Sequence, residues 1–252
     1  MIKRAVVKLS GEALAGSSSG LYDDSVVEGI AEQIGMLKEI GKGGFQVAII
    51  VGGGNIWRGR SDKSKISRSS SDQIGMLGTV MNGIYVAESF SALGIPARLM
   101  TPFAVGPFAD VFSRKSALAA LEAGETLVFA GGLGHPYFST DTITALRAAE
   151  LDADCVFYAK SVDGIYDSDP KINLGARKFK AISYQGVLER GLKAVDISAM
   201  SLSSESGMDS FIFGLDEPSS IVRAVLSASG EASGDDALGT RVSLRCKEEY
   251  YV

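Results

Sequence analysis

The feature that most constrains this chain is a repeated order: a short apolar run, a Gly- or Ser-rich turn, then an amphipathic stretch. Ala5–Leu9, Val47–Val51, Ala97–Met100, Thr126–Ala130 and Cys155–Ala159 are short, mostly rich in Val, Ile or Ala, and bounded by Gly, Ser or Pro, the pattern of buried strands. Between them lie helical patterns at Ser25–Ile40, Asp72–Leu93, Ser113–Ala123 and Asp141–Leu151. Helices that follow short strands mean crossover connections, hence a mostly parallel central sheet covered on both faces. The last third continues with helical Tyr184–Arg190, a helix opening near Asp196, strand Ser210–Phe213, helix Ser219–Ser227 and strand Arg241–Leu244. The expected fold class is α/β, a three-layer sandwich. The 252 residues suffice for one large domain or two closely joined lobes. A faint composition break near Leu151–Asp154 divides the chain into an N-terminal lobe, 1–152, and a C-terminal lobe, 153–252. Ser227–Asp236 is of low complexity and is expected to be a mobile surface loop.

Charge and composition exclude several classes. A net charge of −5 argues against broad nucleic-acid binding, which needs a basic surface to displace counterions. The N-terminal apolar stretch is too short for a signal peptide, and no segment approaches a membrane span. Cys155 and Cys246 are far apart and have no metal-ligand spacing; Cys155, in an apolar run, reads as a buried thiol. A cytoplasmic location is expected, with neither nucleic acid nor membrane as partner.

In open α/β sheets ligands bind outside the carboxyl ends of strands. The unusual residues fall at those ends: Lys8-Leu9-Ser10-Gly11-Glu12 after the first strand, Gly52-Gly53-Gly54-Asn55 with Trp57-Arg58-Gly59 after the second, and Gly131-Gly132-Leu133-Gly134-His135-Pro136-Tyr137-Phe138-Ser139-Thr140-Asp141 after the fourth. Consecutive glycines let the backbone approach a phosphate and turn its N–H groups inward, although an isolated glycine turn is ordinarily just a tight connection. Two such turns, each near a cation, favour phosphate binding. Lys8 is either a solvated strand cap or a charge that neutralises a transferring phosphoryl group; Arg58 can grip phosphate with two parallel donors. Asp72 and Asp141 each have a helix N-cap alternative. His135, the only histidine, reads as a polar loop residue. No Walker A pattern occurs, nor a Gly-x-Gly-x-x-Gly turn opening a helix.

Together these segments resemble the bacterial-type UMP kinases of the amino acid kinase family. The likeness runs from Lys8 to about Arg223 and includes Asp72 with Gly75-Met76-Leu77 and Thr79-Val80-Met81-Asn82, Val162-Asp163-Gly164-Ile165-Tyr166 with Asp169-Pro170, and Leu192-Lys193 with Asp196. The resemblance implies an amino acid kinase-like fold and MgATP-dependent phosphorylation of UMP to UDP, a step of pyrimidine nucleotide biosynthesis, by direct in-line transfer. It implies catalytic roles for Lys8, Arg58 and Asp196. It assigns ATP contacts to Lys8, Leu9, Ser10, Gly11, Gly54, Arg58, Lys160, Tyr166 and Asp169. UMP contacts fall to Gly53, Asp72, Leu133, Gly134, His135, Pro136, Tyr137, Phe138, Ser139 and Thr140, with the Asp72 carboxylate suited to ribose hydroxyls. Mg²⁺ is implied with ATP, held mainly by phosphates and water, with no protein metal ligands. A homo-oligomer, commonly a hexamer in the family, is also implied.

The chain departs from the family pattern in places. Leu133 and His135 stand where members often carry Thr and Asn, Lys160-Ser161 is shorter or shifted, and Phe213-Gly214 replaces a common Phe-Asn. Ser17–Ser19 lie where some relatives respond to GTP, and Ser227–Asp236 and Cys246–Val252 have no clear counterpart. Two rival readings stand beside this one: an amino acid kinase acting on a carboxylate or carbamate, and a non-catalytic nucleotide-binding protein on the same fold.

Overall fold

The structure, a computed structural model, describes residues 2–16, 20–58, 65–216, 219–232 and 238–251. Along the chain it forms β1 (Arg4–Leu9), α1 (Gly11–Ala15), α2 (Asp24–Ile40), β2 (Gln46–Val51), α3 (Arg68–Ala92), β3 (Ala97–Thr101), β4 (Asp110–Val111), α4 (Arg114–Glu122) and β5 (Thr126–Phe129). It continues with α5 (Thr140–Glu150), β6 (Cys155–Lys160), β7 (Phe179–Ser183), α6 (Tyr184–Glu189), α7 (Ile197–Glu205), β8 (Asp209–Gly214), α8 (Ser220–Ala228), β9 (Thr240–Ser243) and β10 (Glu249–Tyr250).

Side chains alternate across a strand, and here both faces are apolar. Ala5, Val7 and Leu9 join Val47, Ile49, Val51 and Phe157 in one core, closed by α2, α3 and α8. Val6 joins Ala48, Ile50, Val156 and Tyr158 in the other, closed by α4, α5, α6 and α7. That is why the strands read as unbroken hydrophobic runs, and why the architecture has three layers.

All ten strands form one sheet in the order β10-β7-β9-β8-β6-β1-β2-β5-β3-β4. From β8 to β4 the pairings are parallel. β9 runs antiparallel to β8, and β7 and β10 extend that edge. β1 lies between β2 and β6, with Lys8 in register with Ile50 and Tyr158. The chain therefore departs on one side of β1 and returns on the other, and the crevice of such a sheet opens where the order reverses. The even positions of β1 face α5, so Lys8 projects from this crevice toward that helix.

Two helix starts differ from the sequence expectation. α3 begins at Arg68, capped by the Ser67 hydroxyl, which accepts from Ser70 N at 3.1 Å. α5 is capped by Ser139, which accepts from Thr142 N at 3.2 Å. Neither Asp72 nor Asp141 is therefore a cap. β4, β7 and β10 went unread; β7 mixes buried and exposed positions and has no clean period, and β10 lies in the tail. Ser227 and Ala228, the first residues of the expected mobile loop, finish α8, while 233–236 of that segment, Ser17–Ser19 and Gly59 lie outside the described residues.

Candidate active site

Lys8 is only 8% exposed, which removes the solvated-cap reading. Its ammonium lies 3.8 Å from Asp141 Oδ1, and Lys160, at the end of β6, donates to Asp141 Oδ2 at 2.6 Å. The backbone N of Asp196, where α7 opens, approaches the same Oδ2 at 3.4 Å. One buried carboxylate thus joins the ends of β1 and β6 to the starts of α5 and α7. Burial pushes the Lys8 ammonium below its ordinary value; Asp141 pulls the other way, and the Lys160 charge adds to the lowering. Two cations share this one carboxylate, with the Glu12 and Asp196 carboxylates also acting on Lys8, and ammonium groups held in so poorly solvated a place suit an incoming polyanion.

Two glycine turns pack beside this cluster. A Cβ on Gly11 would collide with Asn55 Oδ1 and sit 2.8 Å from Gly54 N, so the β1 and β2 turns touch backbone to backbone. A Cβ on Gly53 would meet Gly75 O of α3 at 2.9 Å. Helix α3 holds both neighbouring strand ends. The fully buried Asn82 donates to Gly52 O at 2.6 Å and to Asn55 Oδ1 at 2.8 Å. Thr79 Oγ1 accepts from Gly131 N at 2.7 Å. Ser10 caps α1 by accepting from Ala13 N, and Leu9, buried in the core, offers only its backbone to the site.

A cavity of about 290 Å³ opens next to these turns. Of the expected acceptor residues, Gly53, Asp72, Leu133, His135, Tyr137, Phe138, Ser139 and Thr140 line it, joined by Gly54 and Asp196. Gly134 packs near Pro102 and Phe103 instead, and Pro136 falls between lining residues in the chain. Asp72 Oδ2 accepts from Tyr137 N at 2.8 Å, closing the loop onto α3. Arg58 is exposed and paired with Glu12 at 2.8 Å; such a surface pair is worth little, so the guanidinium can be recruited by a ligand. Tyr166 and Asp169 are not brought to this cavity. They line a second one of about 470 Å³, with Pro170, Lys171, Leu192 and Lys193, where the Tyr166 hydroxyl donates to Asp163 Oδ1 at 2.7 Å.

Sequence reasoning missed two kinds of site residue. Asp141 ends the Gly131–Asp141 segment, where its cap alternative conceals its place in the cluster; the signal is a carboxylate two positions past a better cap, Ser139. Asn82 and Thr79 belonged to the pattern around Asp72 and carry the polar contacts that hold the glycine turns. Among the described residues no three His, Cys, Asp or Glu side chains converge as a metal site, and no helix is long and apolar enough to cross a membrane.

Comparison with known proteins adds independent weight. The family model described as the amino acid kinase family matches residues 3–214. The crystal structure of a UMP kinase from Bacillus anthracis superposes with a TM-score of 0.91 at 30% identity, covering 100% of this chain and 99% of that one. That of a UMP kinase from Ureaplasma parvum does so with a TM-score of 0.85 at 31% identity, covering 96% and 99%. The uridylate kinase of Archaeoglobus fulgidus, with a TM-score of 0.70 at 23% identity over 96% of this chain and 100% of that one, shares the fold.

Asn82→Ala leaves Gly52 O and Asn55 without their buried donor. The expected stability loss is about 1–3 kcal/mol, measured by urea unfolding, together with weaker nucleotide binding. Unchanged values for both would remove Asn82 from the support of the turns.

Proposed function

Because the chain belongs to the amino acid kinase family, we propose that it is an ATP-dependent UMP kinase, transferring the γ-phosphoryl group of ATP to UMP to give UDP and ADP. The observation that carries this reading is the position of the acceptor cavity. Asp72, the Gly53–Gly54 turn and Asp196 line one cavity, and Asp196 N, 3.4 Å from Asp141 Oδ2, joins it to the Lys8–Asp141–Lys160 cluster. An acceptor that carries both sugar hydroxyls and a phosphate matches that combination of carboxylate, backbone N–H groups and nearby cations. A carbamate or simple carboxylate brings no hydroxyls for Asp72 Oδ1 to accept from, and a mere binding protein has no need of a buried and a half-buried lysine on one carboxylate. The likeness to two UMP kinases over nearly the whole chain supports the same assignment.

The chemistry follows from charge. The acceptor oxygen is already anionic, so no general base is required. Asp141 orients Lys8 and Lys160, whose ammonium groups stabilise the charge spread over the transferring phosphoryl oxygens, as phosphoryl transfer demands. Backbone N–H groups of the Gly11 and Gly53–Gly54 turns hold phosphate oxygens, and Arg58 leaves Glu12 to clamp them. Asp196 keeps the α7 start against Asp141. Tyr166 and Asp169, in the C-terminal lobe of residues 153–252, hold the nucleoside of ATP; the lobe of residues 1–152 holds UMP. Lys8, Lys160 and the backbone N–H groups of the glycine turns would hold the phosphates that carry Mg²⁺, and the ion would supply further neutralisation of their charge, itself held mainly by phosphate oxygens and water. We also assign a cytoplasmic homo-oligomer, a hexamer by family resemblance. Ile74, Leu77 and Met81 form an exposed apolar stripe on α3, and a monomer by light scattering would remove the assembly.

Two measurements test this function. ADP formation from MgATP is expected with UMP and not with carbamate, glutamate, acetylglutamate or aspartate; turnover with any of the latter overturns the acceptor, and silence on all of them favours a binding protein. The pH profile tests Lys8. Its lowered value in the free enzyme means that the ammonium loses its proton as pH rises, below the ordinary 10.5. Phosphates then bound beside it hold the proton more tightly. The alkaline fall in kcat/KM for ATP should therefore come at lower pH than that in kcat; coincident limbs would take Lys8 out of the phosphate site.

A further inference from the structure

The acceptor cavity contains a charged group that none of these roles uses. Arg68 lines it from the first turn of α3. A cation there faces the positive end of the helix dipole, so local electrostatics disfavour it, and a residue that breaks a local rule beside a cavity points to function. Its guanidinium is engaged twice. Nε lies 3.7 Å from Asp72 Oδ2, one turn along the helix, and the guanidinium carbon sits 4.6 Å from the centre of the Tyr137 ring. Tyr137 N in turn donates to that same Asp72 oxygen at 2.8 Å. The three residues close a ring that ties α3 to the loop before α5, two walls of one cavity.

Tyr137 adopts φ +76°, the left-handed region that side chains avoid. It is held there by its hydrogen bond to Asp72 and by the cation over its face. Both contacts to Asp72 use Oδ2, so Oδ1 has no partner among the described residues and can accept from a ligand hydroxyl. We propose that Arg68 is a positioning residue for the acceptor nucleotide: it orients the Asp72 carboxylate and pins Tyr137, so that the loop of residues 137–139 before α5 forms a fixed rim against which the acceptor's sugar seats. The proposal rests on the UMP kinase reading and adds to it the group that organises sugar recognition.

Calorimetric titration of the full-length protein with UMP, in the absence of ATP, tests it alongside steady-state kinetics. Arg68→Ala is expected to weaken UMP binding about three- to thirtyfold, the combined scale of an exposed cation–π contact and a surface ion pair. Turnover at saturating UMP and affinity for ATP should move far less. Arg68→Lys should restore part of the loss, because it keeps the charge beside Asp72 but not the planar stack. Tyr137→Ala should weaken binding similarly, and the double variant should lose less than the sum, as members of one ring do. Undiminished UMP binding in Arg68→Ala, equal losses for ATP and UMP, or strictly additive losses overturn the proposal. Failure of the unmodified protein to bind UMP is a different result, which removes the acceptor assignment itself and this proposal with it.

Discussion

The site depends on one buried carboxylate with two lysines. Asp141 is 6% exposed and Lys8 8%, and a lone charge at such burial would neutralise rather than persist. Each group is tolerable only because the others are there. The fold makes the meeting unavoidable: the parallel register places Lys8 beside Tyr158, two residues before Lys160, and Ser139 starts α5 so that Asp141 falls in its first turn. There the helix dipole also favours a carboxylate. The cluster brings two ammonium groups to one place, and an acidic protein must concentrate its cations in this way if it is to hold phosphates.

Around this cluster α3 has an organising role that its length alone does not suggest. Its inner face supplies Thr79 and Asn82 to the ends of β5 and β2, and its first turns supply Arg68 and Asp72 to the loop before α5. Glycines make the arrangement possible, since side chains at Gly11 or Gly53 would collide with neighbouring backbone. The cavity is consequently walled by elements already locked to one another, which is the preorganisation that catalysis by positioning requires.

Much of this was legible in the chain because burial on both faces leaves an unmistakable mark. Ala5–Leu9, Val47–Val51 and Cys155–Ala159 stand within a residue of β1, β2 and β6, and the turns that follow them announce themselves by glycine and a nearby cation. What stayed hidden was decided by choices between equivalent local signals. Ser67 and Asp72 can both cap a helix, as can Ser139 and Asp141; the serines won, which freed both carboxylates for the site. β7 escaped notice because an edge-region strand of mixed exposure has no clean period, and the partners of Asn82 depend on long-range packing that no local window contains.

The most direct test of this account is the turnover of Asp141→Asn, an isosteric change that keeps the volume and removes the charge. The account predicts a fall of about a hundredfold or more, the scale seen when one preorganised electrostatic contact to a transition state is lost, with UMP binding nearly retained. Turnover close to that of the unmodified protein would contradict it, because the two lysines would then be held and charged without the carboxylate on which the site is built.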